Sequence, residues 1–165
     1  MTTVADLIRH LKPCQDALQW AANYTNPVQA WNECPRGDWM LWLLGKTNHS
    51  NPWTDGRKAL LACCLDCAET AKHLWPEKQL EVISMSVAVL RCWIAGTASA
   101  DAAKKARRDL YAAYAYAVAA AYVASAAAAY AAAYAAADAY AARENNQLQC
   151  ADIVRRHFPN PPNLS

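Results

Sequence analysis

Between Tyr111 and Ala142 the chain holds 21 alanines in 32 positions, broken mainly by tyrosine. Alanine has the highest helix propensity, because its side chain loses no rotamer freedom and buries no polar group. Helix is therefore the regular structure this run supports. From Thr97 to Phe158 there is neither glycine nor proline, so no ordinary breaker interrupts it. At 1.5 Å per residue the run is about 48 Å long. A compact chain of this length has a radius of gyration of about 15 Å and a width of roughly 40 Å. The run thus spans the molecule, protrudes from it, or breaks where no usual breaker stands.

The tyrosines are not scattered evenly. At 100° per residue Tyr111, Tyr114, Val118, Tyr122 and Tyr140 fall in a stripe about 80° wide. Tyr116, Val123, Tyr130 and Tyr134 form a second stripe, roughly 120° away. The remaining arc is almost bare alanine. Such a helix lets a neighbour approach closely on one side and presents rings with hydroxyls on the other. The rings either pack as core or line a binding groove.

The rest of the composition fits this picture. Apolar residues make up 55% and charged residues 18%, which marks a globular chain. Valine, isoleucine and threonine are sparse, so strands have little material. The expected fold is all-α, a single helical bundle over 1–165, with one long helix over 99–143 and a loose tail over 159–165. A net charge of +2 is too small to build a surface for a nucleic-acid polymer. The alanine run contains no leucine or isoleucine and is a poor membrane span. The segment MTTVADLIRHLKP lacks a signal-peptide pattern. Seven cysteines, an odd number, read as thiols of a reducing cytoplasm.

Capping chemistry divides the first half into short helices. Thr3 with Asp6 caps a helix over about Val4 to Lys12, which Pro13 ends. CQDALQWAANY follows, and then Asn26 caps a turn with Pro27 in its first position. In CPRGDWMLWLLGK, Gly37 reads as a hinge, Asp38 as an N-cap and Gly45 as the end. Thr54 or Asp55 caps a helix closed by Pro76. Another helix runs from about Gln79 to Ala95, ended by Gly96, and Ser99 caps the long helix. ENNQ, at 144–147, reads as a break before a last helix, LQCADIVRRHF.

Candidate chemistry is thin. Cys64 and Cys67 form a CxxC with Cys63 beside it and His73 downstream, but no second pair completes a zinc site. Buried thiols are the simpler reading, and no cofactor is expected. No HExxH, GxSxG or phosphate-binding glycine loop occurs, so the chain reads as non-enzymatic. Arg36, Asp38, Trp39 and Trp42 stand close together and have the composition of an interface hot spot. Arg107 and Arg108, with Tyr111, Tyr114 and Tyr122, would suit an anionic, nucleotide-type ligand. Arg155 and Arg156 on the last helix are candidates for contact or for surface pairing.

Several segments taken together carry a family resemblance. They are CPRGDWMLWLLGK, RKALLACCLDCAETA, the Trp93 helix ending in Gly96, the Ala/Tyr run, and CADIVRRHFPNPP. The chain resembles immunity proteins of bacterial polymorphic toxin systems and phage and prophage proteins of the same layout. The resemblance implies a helical protein without catalytic residues that neutralises a toxin, a host defence effector or its nucleotide signal by binding. Its partner would be a protein target or a small anionic ligand, and no membrane. A structural protein that self-associates into a homo-oligomer through the alanine face is the alternative.

Overall fold

The computed structural model describes residues 1–48, 55–70, 80–110, 112 and 132–164. Every regular element among the described residues is helical. The elements are α1 (Val4–Ile8), a 3-10 turn (Arg9–Leu11), α2 (Gln15–Ala21), α3 (Pro27–Glu33), α4 (Gly37–Thr47), α5 (Asp55–Thr70) and α6 (Leu80–Ile94). Next come a helix over 100–110, α7, and then α8 (Ala132–His157). The expected all-α class is what the chain adopts. Among the described residues no helix is long and apolar enough to cross a membrane.

The packing forms two compact units within the chain read above as one domain. The first comprises Met1–Cys67 and Asn146–Ser165; the second comprises Ala68–Asn145. Most of the long helix expected over 99–143 lies outside the described residues, including Tyr111, Tyr114, Tyr122 and the bare alanine arc. Its described ends, 100–110 and 132–143, are helical.

Local capping shapes the first unit. The Thr3 hydroxyl accepts the Asp6 N–H at 3.3 Å, and the Asp6 carboxylate accepts the Thr3 N–H at 2.9 Å. This closed box satisfies donors that a helix start would leave unpaired. Lys12, at φ 59°, ends the turn after α1 and leaves Pro13 outside the helix. Asn26 accepts the Val28 N–H at 2.9 Å and Pro27 follows it, as expected.

Several local expectations give way. Asp38 does not cap α4: Arg36 holds that position and Gly37 is the first helical residue. The reason is close packing, because a Cβ on Gly37 would meet the Cys150 Cβ at 2.4 Å and the Ala151 N at 2.7 Å. Gly37 is thus a contact point for α8 rather than a hinge. Gly45 does not end α4, which continues to Thr47, since glycine in a helix costs only about 1 kcal/mol against alanine. ENNQ does not break α8. Its side chains find partners from within the helix: Gln147 accepts the Asp38 N–H at 3.2 Å, and Asn146 lies 3.7 Å from the Cys150 sulfur.

Among the described residues of the first unit two apolar clusters stand out. One gathers Trp31, Cys34, Met40, Leu44, Cys63 and Val154, among others, from α3, α4, α5 and α8. The other gathers Val4, Ala5, Ile8, Ala21 and Ala30 from α1, α2 and α3. Leu164 of the C-terminal tail packs against this second cluster, although residues 159–164 carry no regular structure. In the second unit α6 buries Val87, Leu90 and Trp93. Gly96, at φ 81°, ends α6 as expected: its N–H reaches the Trp93 carbonyl and the Thr97 N–H reaches that of Cys92. This is a Schellman arrangement, for which glycine is the usual residue. Ser99 then accepts the Ala102 N–H at 3.2 Å and caps α7.

Candidate functional site

Four of the chain's seven tryptophans line one cleft in the first unit: Trp20 of α2, Trp31 of α3, and Trp39 and Trp42 of α4. Short helices with few residues between them make this possible. Each helix contributes one or two rings, and the loops are too short to carry the rings apart. The cleft opens to solvent, leaves a space of about 60 Å³ between the residues that line it, and its lining is almost wholly apolar. Trp20 and Trp39 pack with ring centroids 6.1 Å apart, and Trp20 and Tyr24 with centroids 4.7 Å apart. Aromatic pairs at such distances stabilise one another beyond their simple burial.

Charged groups stand at the rim. The Arg36 guanidinium lies 4.6 Å from the centre of the Trp39 ring and forms two bonds to Asp38, at 2.9 and 2.7 Å. The Lys46 ammonium lies 6.0 Å from the centre of the Trp42 ring. Both contacts are cation–π in character. Partial burial of Asp38 works to raise its carboxyl, but the bonds and charge of Arg36 outweigh it and hold the group below the ordinary carboxylate value. Arg36, Asp38 and Trp39 thus form one fixed group, and Trp42 stands one helical turn further along α4.

Arg155 has a different job from its neighbour. It pairs with Asp152 at 2.8 Å, donates to the Trp31 carbonyl at 3.2 Å, and donates to the Cys34 carbonyl. Those carbonyls lie at the C-terminal end of α3, where backbone acceptors lack helical partners. Arg155 therefore clamps α8 to α3 and supports Trp31 from behind. Arg156 is exposed. A second tie between α8 and α5 runs from His157 Nε2 to the Asp66 carboxylate, 2.7 Å apart.

Arg107 and Arg108 are both exposed on α7, in the second unit. The tyrosines expected to join them lie outside the described residues. The CxxC cysteines and the neighbouring Cys63 sit in the packing: Cys63 and Cys67 are buried and Cys64 is partly so. Burial, with the neighbouring Cys67, pushes the Cys64 thiol up to about 11. Among the described residues no three His, Cys, Asp or Glu side chains converge as a metal ion would require.

Sequence reasoning singled out Trp39 and Trp42 but not Trp20, Trp31, Pro161 or Leu164, which share their cleft. A usable signal was present. Four tryptophans fall within residues 20–42, in a stretch whose caps force several short helices. No protein-family profile, no curated protein and no solved structure matches this chain.

Proposed function

We propose that the chain is a non-enzymatic binding protein of immunity or anti-defence type, acting in the cytoplasm. It neutralises a protein target, a toxin or a host defence effector, by seating an apolar group of that target in the tryptophan cleft. The observation that carries this reading is the convergence of Trp20, Trp31, Trp39 and Trp42 on an open apolar cleft. Tryptophan is the residue most enriched among interface hot spots, since one ring removes a large apolar area from water at little rotamer cost.

The same geometry favours a protein target over a nucleotide. A phosphate needs charged donors aimed at it. Arg36, which lies over Trp39, is engaged by Asp38, and Arg155, which bonds the Trp31 carbonyl, is engaged by Asp152 and two backbone carbonyls. An apolar side chain makes no such demand.

The test is capture of the target on immobilised chain, in parallel with Trp39→Ala and Trp42→Ala variants. The captured protein is then purified and titrated against each. The expected result is one target bound with a Kd below about 1 µM, weakened at least about thirtyfold by either substitution. A target bound equally well by both variants would remove the cleft from the account.

A further inference from the structure

Residues 159–164 form neither helix nor strand, yet two of them reach the cleft. Pro161 and Leu164 line it beside the four tryptophans. Their spacing is three residues. An extended polyproline chain repeats every three residues, so positions i and i+3 share one face. The tail has the composition for that conformation, with prolines at 159, 161 and 162. The structure also shows how the segment is held. The Trp31 indole N–H donates to the Phe158 carbonyl at 2.8 Å, where the tail begins. At the far end Leu164 packs on the cluster of Val4, Ala5, Ile8, Ala21 and Ala30.

Aromatic-lined grooves are well suited to proline-rich segments, because a chain already extended loses little entropy on docking. We propose that the tryptophan cleft reads an extended proline-rich segment of the partner protein with Pro-x-x-Leu spacing. The chain's own tail is the segment seated there until the partner displaces it. The tail sets a proline ring and a leucine three residues apart along the wall of the cleft, and a partner segment taking its place would present the same spacing. The tail also sets the threshold for entry. A tethered segment competes at an effective concentration of order millimolar, so only a partner segment that binds well, or that has further contacts, takes its place. This inference rests on the reading of the cleft as the seat of the target.

The probe is a synthetic peptide with the sequence of residues 158–165, FPNPPNLS. It is titrated against the full chain and against a chain ending at Asn160, with tryptophan fluorescence as the readout. The shortened chain is expected to bind the peptide saturably with a Kd of about 10–100 µM. The full chain is expected to bind at least about tenfold more weakly. A peptide carrying Pro161→Ala and Leu164→Ala is expected to lose at least about tenfold against the shortened chain. A folded shortened chain that does not bind the peptide, or that binds the altered peptide equally, overturns the proposal. Leu164→Ala in the full chain covers a shortened chain that fails to fold. It is expected to admit the peptide more tightly than the wild-type chain does, and an unchanged affinity overturns the proposal. The dye 8-anilinonaphthalene-1-sulfonate distinguishes a cleft without proline preference from no usable cleft. Dye bound by the shortened chain and lost on Trp39→Ala, with no peptide binding, overturns the proline inference alone. Neither probe binding overturns the cleft reading as well.

Discussion

Gly37 and Cys150 meet so closely that any side chain on the glycine would collide with the cysteine. A Cβ built on Gly37 falls 2.4 Å from the Cys150 Cβ and 2.7 Å from two backbone atoms of α8. Only the absence of a side chain lets the start of α4 touch α8, and α4 carries both Trp39 and Trp42 to the cleft. On helix propensity alone Gly37→Ala should stabilise by up to about 1 kcal/mol. The contact reverses that sign. Gly37→Ala is expected to destabilise the chain by about 1–3 kcal/mol, the usual cost of overpacking, read from the midpoint of urea unfolding. A neutral or stabilising result would mean that α4 and α8 do not approach this closely.

Arg155 gives a second test of the same framework. Replacing it by methionine keeps most of the apolar stem and removes the bonds to the Trp31 and Cys34 carbonyls. The expected cost is about 1.5–3 kcal/mol, as for hydrogen bonds to charged groups. Lysine keeps the charge but not the planar fork, so Arg155→Lys should recover only part of the loss. Full recovery would show that charge, not the two-carbonyl clamp, is what matters.

The rim pair predicts an acid limb. Asp38 sits below its ordinary value of 3.8 because the Arg36 bonds and charge outweigh partial burial. A carboxyl depressed in the folded state binds fewer protons there than in the unfolded chain. Its stabilising share is full above the unfolded value and lost as pH falls through the folded one. Stability should therefore decline below about pH 4, and Asp38→Asn should flatten that decline. Unfolding at pH 5 and pH 3 checks it. A variant with the same pH slope as the wild-type chain would remove Asp38 from the acid response.

Much of the fold was legible in both units because capping is local chemistry. Thr3 with Asp6, Asn26 with Pro27, Gly96 and Ser99 all act within a few residues of their own position. The failures have the opposite character. Gly37 is set by a contact with residues 150 and 151, and ENNQ stays helical while Gln147 holds the Asp38 N–H. Neither relation is visible within a sequence window. The site divides in the same way. Trp39 and Trp42 lie close to Arg36 in sequence and were found together. Trp20, Trp31, Pro161 and Leu164 join them only through the fold.

The cysteines should separate by reactivity, since the thiolate is the reacting form. Cys14 and Cys92 are exposed, whereas Cys34, Cys63, Cys67 and Cys150 are buried. Burial raises the thiols of Cys34 and Cys64; Cys67 is raised by its bond with Cys63 and by burial. A disulfide reagent at pH 8 should label two thiols quickly and the rest only as the chain unfolds. A third fast thiol would show that the apolar clusters open readily.

The central claim is that the target occupies the tryptophan cleft and displaces the tail. Hydrogen exchange of the chain alone and with its captured target tests this most directly. Slower exchange across α2, α3 and α4, faster exchange at the Asn163 and Leu164 amides (Pro161 and Pro162 carry none), and no change across residues 80–110 are the expected result. Protection confined to residues 80–110, with α2 to α4 and the tail unaffected, would contradict the claim and move the binding surface to the second unit.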